Sequence, residues 1–254
     1  MEHVWMTVLG ITIVFVATAL GASVVYFFKG EISDKWNALF FGFASGVMLS
    51  ASVWSLLLPA IEEAQTALKA WASLPIAAAF LFGGLFLSLL NKAVPMPSFG
   101  KGGKPARLFL AVTLHNVPEG LAVGFAFGAA QNGSAAAAIS ALILAIGIAV
   151  QNFPEGAAIA LPMQTALKNR HKAFLWGAAS GIVEPIFALL GFFLSTRLRF
   201  LQPWLLSLSA GAMVFVVAED LIPDAKCESL PTLGAWGTVI GFALMMILDV
   251  ALGG

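Results

Sequence analysis

Eight long apolar segments dominate this sequence and leave few ways for it to fold. About 20 apolar residues in a helix span the ~30 Å hydrocarbon core of a bilayer, and backbone in lipid must satisfy its own hydrogen bonds. The sequence therefore predicts an all-α polytopic membrane protein, with one transmembrane domain over residues 1–254. Its eight helices are expected at residues 5–28, 36–60, 74–92, 107–130, 135–163, 172–195, 202–222 and 232–250.

The composition agrees with this fold class and excludes several functions. Of the 254 residues, 60% are hydrophobic and 10% are charged, whereas a soluble domain has about 25% charged residues. The formal net charge is zero, so nothing favours a nucleic-acid partner. Cys227 is the single cysteine, which excludes an intrachain disulfide and a thiolate metal cluster. The N-terminus lacks the basic region of a signal peptide, so we expect the first segment to be retained.

The basic residues predict the orientation in the membrane. Connections after the first, third, fifth and seventh helices are rich in lysine and arginine, and the opposite side is poor in them. Basic residues favour the cytoplasmic side, so we expect a multi-pass protein of the cell membrane with both termini extracytoplasmic. The long connection at residues 91–106 is rich in proline and glycine and is expected to be irregular.

Two related hexads place ionisable and amide side chains deep inside apolar segments. Residues 115–120 read His-Asn-Val-Pro-Glu-Gly, and residues 151–156 read Gln-Asn-Phe-Pro-Glu-Gly. His115 and Glu119 share a helix face at i and i+4, as do Gln151 and Glu155. Each proline lacks an N–H and frees a carbonyl one turn earlier, so we expect kinked helices 4 and 5. Ionisable side chains at this depth are costly and usually functional, so the hexads predict a site for a divalent cation.

The hexads also indicate an internal symmetry. They lie in consecutive, antiparallel helices, and the segments around Met48 and Met213 share a Gly-x-Met start and an apolar-Pro-x-acidic end. These features are typical of inverted repeats, which place a transporter's substrate site near the membrane midplane.

The paired hexads resemble the fourth and fifth helices of the ZIP (Zrt/Irt-like) divalent metal transporters, most like the short prokaryotic branch. The segments at residues 43–63 and 208–224 resemble the second and seventh helices, and Glu184-Pro185 resembles the sixth. The resemblance implies transport of metal toward the cytoplasm, two domains that move past one another, and often a homodimer. It implies that helices 1, 4, 5 and 6 carry the metal while helices 2, 3, 7 and 8 form the scaffold.

Several residues are candidate ligands of the metal. His115, Glu119 and Glu155 are the leading ones, and Asn116 and Asn152 are expected to bind through oxygen or to orient the carboxylates. Gln151 is either a weak ligand or an interhelical hydrogen-bonding group. The remaining candidates follow from the resemblance and are Glu184, a third embedded carboxylate, and Met48, whose alternative role is core packing.

Residues nearer the membrane surfaces are candidates for the transport pathway. Ser55 lies two turns beyond Met48 on one helix face, and Asp249 lies near the extracytoplasmic end of helix 8. Glu219 and Asp220 lie at the cytoplasmic end of helix 7, where they either line an exit route or form a solvated helix end.

The mixed nitrogen and oxygen donors suit zinc, and also iron(II), manganese, cobalt or cadmium. We therefore expect a transporter of divalent metal, most readily zinc, that needs no other cofactor and works in the lipid bilayer. The alternatives are an intramembrane metalloenzyme and a metal-sensing or structural membrane protein. A zinc protease needs two histidines on one helix face, and His115 is the single embedded histidine, so we do not expect an enzyme.

Overall fold

The computed structural model describes residues 4–28, 33–93, 104–131 and 134–253, and within them it shows eight helices long and apolar enough to cross a membrane, as predicted. The expected irregular connection falls mostly outside the described residues. The helices have the following bounds: helix 1, Val4–Ala22 with a 3-10 extension Ser23–Phe27; helix 2, Asp34–Leu68; helix 3, Ser73–Ala93 after a 3-10 turn Lys69–Ala72; helix 4, Lys104–Ala130; helix 5, Ala135–Leu167; helix 6, Arg170–Ser180 and Val183–Leu198; helix 7, Gln202–Asp224; helix 8, Leu233–Gly253.

Helices 2 and 7 each contain a π-helical turn just before a proline. The turns are Ser52–Leu57 and Val217–Leu221. A proline has no N–H to donate to the carbonyl four residues earlier. In both helices the residue before the proline donates its N–H to the carbonyl five residues earlier. These bonds join Leu58 to Val53 and Ile222 to Val217. The matching positions of the two turns agree with the inverted repeat, and they let helix 2 continue past residue 60, where the sequence predicted its end.

Helix 6 is discontinuous, which the sequence analysis did not anticipate. Its first part ends at Ser180 and its second begins at Val183, and the backbone N–H groups of Gly181 and Glu184 make turn-type hydrogen bonds. Pro185 then occupies the first turn of the second part, where its missing N–H costs nothing. Broken membrane helices are tolerated where they are buried in protein, and in transporters they often border the substrate site.

Glycines pack the helices in four close pairs. A Cβ added to Gly21 would overlap the Phe153 carbonyl, joining helices 1 and 5, and one at Gly124 would overlap Ala188, joining helices 4 and 6. Equivalent approaches join helices 2 and 8 at Gly46, and helices 3 and 7 at Gly211. Small residues let membrane helices approach to backbone contact. An inverted repeat would exchange helix 1 with helix 6, helix 2 with helix 7, helix 3 with helix 8, and helix 4 with helix 5. Under this exchange the pair of helices 1 and 5 becomes the pair of helices 6 and 4, and the pair of helices 2 and 8 becomes the pair of helices 7 and 3.

Two further close approaches join these pairs, Gly177 of helix 6 against Ala22 of helix 1, and Gly234 of helix 8 against Ala225 directly after helix 7. The helices therefore form a first set, helices 1, 4, 5 and 6, and a second set, helices 2, 3, 7 and 8. Among the glycines of the described residues, every one whose added Cβ would come within 3.0 Å of another segment makes that approach inside one set. Gly147 faces the other set, and its added Cβ would lie 3.6 Å from Ser55 Oγ, an ordinary van der Waals distance. The sets meet chiefly where helix 4 packs on helix 7 and helix 2 on helix 5.

Candidate metal centre

His115, Glu119 and Glu155 come together inside the first set. Helix 4 carries the first two one turn apart, and helix 5 carries the third. One ligand atom from each lies within 4.8 Å of the others, and His115 Nε2 is 3.4 Å from Glu155 Oε1. All three side chains are at most 1% exposed. Imidazole and carboxylate groups at these separations can converge on one divalent cation.

The amide of Gln151 organises this cluster. Gln151 Nε2 donates a hydrogen bond of 2.8 Å to Glu119 Oε1. The bond links helices 4 and 5, and it fixes one oxygen of Glu119 while the other, Oε2, has no hydrogen-bond partner in the described part of the chain. Gln151 therefore has the interhelical hydrogen bond considered from the sequence, and its own Oε1 has no hydrogen-bond partner within the ranges that the structure describes.

The two hexad asparagines tie the cluster to the other helices of the first set. Asn116 Nδ2 donates to the Ser180 carbonyl at 3.3 Å, at the break in helix 6. Asn152 Nδ2 donates to the Val14 carbonyl of helix 1, also at 3.3 Å. Each asparagine thus supports the backbone of a neighbouring helix. Neither side-chain oxygen accepts a hydrogen bond from any residue that the structure describes.

Glu184 adds a third buried carboxylate at the start of the second part of helix 6. Thr18 Oγ1 of helix 1 donates to its Oε1 at 3.4 Å. The carboxyl groups of Glu119 and Glu155 are close enough to Glu184 for electrostatic repulsion if ionised. Helices 1 and 6 therefore complete the polar centre that helices 4 and 5 begin.

Many polar atoms of this centre are buried and have no hydrogen-bond partner among the described residues. Buried polar groups are normally satisfied, and each exception calls for an explanation. A cation bound by nitrogen and oxygen donors would satisfy these atoms together. They are His115 Nδ1 and Nε2, Asn116 Oδ1, Glu119 Oε2, Gln151 Oε1, Asn152 Oδ1, both Glu155 oxygens and Glu184 Oε2.

Electrostatics leads to the same conclusion. Glu119, Glu155 and Glu184 are fully buried, and no lysine or arginine in the described ranges forms an ion pair with them. Ionised carboxylates in a low-dielectric interior require a counter-charge or protonation. A divalent cation bound at this centre would supply that counter-charge. After its release, protonation of the carboxyl groups would have to replace it.

Met48 lies in the largest apolar cluster, fully buried together with Met213. The Ser52 hydroxyl donates to its backbone carbonyl at 2.7 Å and also approaches the Met213 sulfur at 3.0 Å. These contacts belong to the second set. They agree with the core-packing role that the sequence left open, and a ligand role for the thioether stays a prediction.

Ser55 and Asp249 meet on the side of the molecule where the chain begins and ends, which we call the terminal face. Ser55 Oγ donates to Asp249 Oδ1 at 2.7 Å. Both residues line a cavity of about 550 Å³ between helices 2, 5 and 8, which Glu62 also borders. Gly147 lies in the cavity wall one helical turn before Gln151, so the cavity extends toward the metal centre.

The acidic residues of helix 7 lie near the opposite face. Glu219 and Asp220 belong to the π-helical turn, where the first is exposed and the second is half-buried. Asp224 follows at the end of the helix. They are thus separate from the cavity at the terminal face, and the choice between an exit route and a solvated helix end stays open.

Two residues of the site were missed from the sequence. Thr18 is a lone hydroxyl in an apolar stretch, and Ser209 of helix 7 donates a 3.2 Å hydrogen bond to the His115 backbone carbonyl. Single hydroxyls in membrane helices commonly bond to their own helix, so a lone serine or threonine in the sequence does not indicate a partner on another helix. Only the packing of the helices shows their partners.

Comparison with known proteins agrees with this geometry. A family model described as ZIP zinc transporter matches residues 105–249. Zinc transporter ZIP11 of Homo sapiens is 34% identical, over 99% of this chain and 98% of its own length. Zinc transporter ZIPB of Bordetella bronchiseptica is 35% identical, over 99% and 82%. Zinc transporter GufA of Myxococcus xanthus is also 35% identical, over 93% and 95%.

Proposed function

Since the chain belongs to the ZIP family of zinc transporters, and so transports divalent metal across a membrane rather than catalysing a reaction, we propose that it moves zinc toward the cytoplasm through the cluster of His115, Glu119 and Glu155. The observation that carries this proposal is the convergence of these three buried side chains within 4.8 Å. Its partners are the metal ion and the lipid bilayer.

The remaining polar groups have supporting roles in this proposal. Glu184 contributes the third negative charge, and the freed oxygens of Asn116, Gln151 and Asn152 are neutral donors to the metal. Their N–H groups link helices 1, 4, 5 and 6, so each of these side chains both binds the metal and positions a neighbouring helix. Transport needs binding that is also reversible, and a single histidine with oxygen donors fits this need better than a closed thiolate cage.

We further propose that the first set carries the metal past the second. Glycine packing supports this movement because, at the glycines of the described residues, helix backbones interlock within each set and not between the two sets. The side-chain surfaces between the two sets meet at ordinary van der Waals distances and can slide past one another. Separating the helices of a glycine pair would instead cost the close backbone packing inside a set. The polar centre is built by helices 1, 4, 5 and 6, so it would move as a unit.

The cavity at the terminal face is the proposed entrance. Asp249 and Glu62 supply negative charge that raises the local concentration of cations, and Ser55 offers a hydroxyl oxygen. Glu219 and Asp220 are then placed for release on the opposite face. This direction requires both termini to be extracytoplasmic. A homodimer also remains a proposal that rests on family resemblance.

The experiment that tests the function is uptake into sealed proteoliposomes that contain the purified full chain. Zinc, iron(II), manganese, cobalt and cadmium are supplied in turn, and internal metal is measured over time. We expect saturable uptake with zinc preferred. Empty liposomes and the His115→Ala variant provide the background, and uptake no faster than that background for every metal would contradict the proposal.

A further inference from the structure

The His115–Ser209 contact crosses the boundary between the two sets of helices. Ser209 belongs to helix 7 of the second set, and His115 belongs to helix 4 of the first. The Ser209 hydroxyl donates to the His115 backbone carbonyl at 3.2 Å, and both residues are buried. The bond therefore attaches the scaffold directly to the backbone of a candidate metal ligand.

Helix 7 itself is firmly anchored in the second set. Ser207 Oγ donates to the Ile76 carbonyl of helix 3 at 2.7 Å. Gly211 lies against Phe80 of the same helix so closely that a Cβ would overlap the carbonyl oxygen. Ser209 therefore contacts the first set from a helix that is held in the second set and would not move with the first.

We propose that Ser209 is a positioning residue that holds the first set in the arrangement seen here through the His115 carbonyl. This inference rests on the proposed movement of the two sets during transport. When the first set moves, His115 leaves Ser209 and the bond must break in each cycle. Removing the Ser209 hydroxyl by mutation then favours the other arrangement and leaves every atom of the metal centre in place.

The expected size of the effect follows from hydrogen bonds measured between membrane helices. Such bonds contribute modestly, equivalent to about a threefold change in an equilibrium constant. Ser209→Ala should therefore shift the population of the two arrangements by about threefold. The equilibrium affinity for zinc in the present arrangement should change little, because no donor atom of the metal centre is altered.

Gly147 provides a place for a reporter of this shift. It is buried, lies on helix 5 and faces Ser55 and Asp249 of the second set with room for a Cβ. Gly147→Cys in a Cys227→Ser background places a single thiol at the boundary between the sets. Its rate of reaction with a small maleimide reports how often that boundary opens or shifts.

The experiment compares this rate among Ser209→Ala, Ser209→Thr and Ser207→Ala, each in the reporter background, with and without zinc. We expect Ser209→Ala to change the rate by about threefold, because the exposure of residue 147 differs between the two arrangements, while Ser209→Thr, which keeps a hydroxyl, stays near the parent. Ser207→Ala is the matched control, because it removes a similar buried bond that lies within the second set. It should leave the rate unchanged.

Several outcomes would overturn the inference. They are an unchanged rate in a monodisperse Ser209→Ala protein, equal changes in Ser209→Ala and Ser207→Ala, and equal changes in Ser209→Ala and Ser209→Thr. If Ser209→Ala does not give monodisperse protein, Ser209→Gly replaces it under the same criteria. Misfolding of both would also overturn the inference, because a bond that breaks in each cycle cannot be required for folding.

Zinc uptake by the unmutated protein in proteoliposomes is measured in parallel. Absence of that uptake contradicts the proposed function, whatever the labelling shows. Intact uptake, combined with no effect of Ser209→Ala on labelling, contradicts the role of Ser209 alone. The two failures are therefore distinguishable.

Discussion

Nε2 of His115 lies 3.4 Å from Oε1 of Glu155, although the two residues belong to different, antiparallel helices. The contact joins the two hexads into one centre, with Glu119 as its third member. Removing either partner leaves the other buried without a counterpart.

We predict that His115→Ala and Glu119→Ala each lower zinc uptake at least about tenfold while the protein still folds, because each removes a ligand from the centre. Initial uptake rates are measured at equal amounts of reconstituted protein. His171→Ala, which changes an exposed histidine at the start of helix 6, is the matched control and should transport normally. Unimpaired rates in the His115 and Glu119 variants would disprove the site assignment.

We predict that zinc uptake rises with pH between about 5.5 and 7.5, because ligand imidazole must be neutral and ligand carboxylates ionised. Protons compete with zinc, so acid should mainly raise the zinc concentration needed for half-maximal uptake. The profile is measured in vesicles that retain a trapped dye at every pH. A half-maximal concentration that does not change with pH would argue against proton competition at these residues.

We predict that each unmutated chain holds one tightly bound zinc at the centre. Three ionised glutamates and one divalent cation leave a net charge of about −1, and two cations leave about +1, which is costly in a low-dielectric site. Asn152→Asp should strengthen a second site by adding negative charge, although it loses the donor to the Val14 carbonyl.

Equilibrium zinc titration with metal analysis checks this stoichiometry. Asn37→Asp, on helix 2 in the second set, is the matched change of charge and should leave the stoichiometry at one. Two zinc ions of comparable affinity in the unmutated chain would show that the missing charge is supplied elsewhere.

We predict that both termini are extracytoplasmic, because the basic residues concentrate on the other side. In a Cys227→Ser background, His3→Cys and Gly253→Cys should react with an impermeant thiol reagent in intact cells. His171→Cys, at the start of helix 6 beside the basic connection from helix 5, should react only after the cells are permeabilised. The reverse pattern would show that the chain is inserted the other way.

We predict that Gly124→Leu strongly destabilises the protein, whereas Gly147→Ala changes its thermal stability by no more than about 1–2 °C. A side chain at residue 124 would overlap the backbone of helix 6 at Ala188, while residue 147 has room for a methyl group. Thermal unfolding in one detergent compares the two variants. Equal losses of thermal stability in Gly124→Leu and Gly147→Ala would contradict the division of the helices into two sets.

The order and type of the helices follow from the sequence because apolar length is a local property. A segment such as residues 135–163 is too long and too apolar for water, whatever it packs against. The hexads likewise place His115 and Glu119 on one face by helical geometry alone, and their repetition indicates that Glu155 belongs with them. The break in helix 6 does not follow from the sequence, because the backbone is interrupted between Ser180 and Val183 although the hydropathy is not.

The sequence by itself determined the eight helices and the two polar faces, because periodicity and hydropathy act within a single helix. Only the tertiary structure decided which helices pair, that Asn116 supports the broken helix 6, and that Ser209 bonds to the His115 carbonyl. In a membrane every segment is similarly apolar, so hydropathy does not select partners. Close approach at glycines and hydrogen bonds at a few hydroxyls and amides select them, and these become visible only when the backbones are placed together.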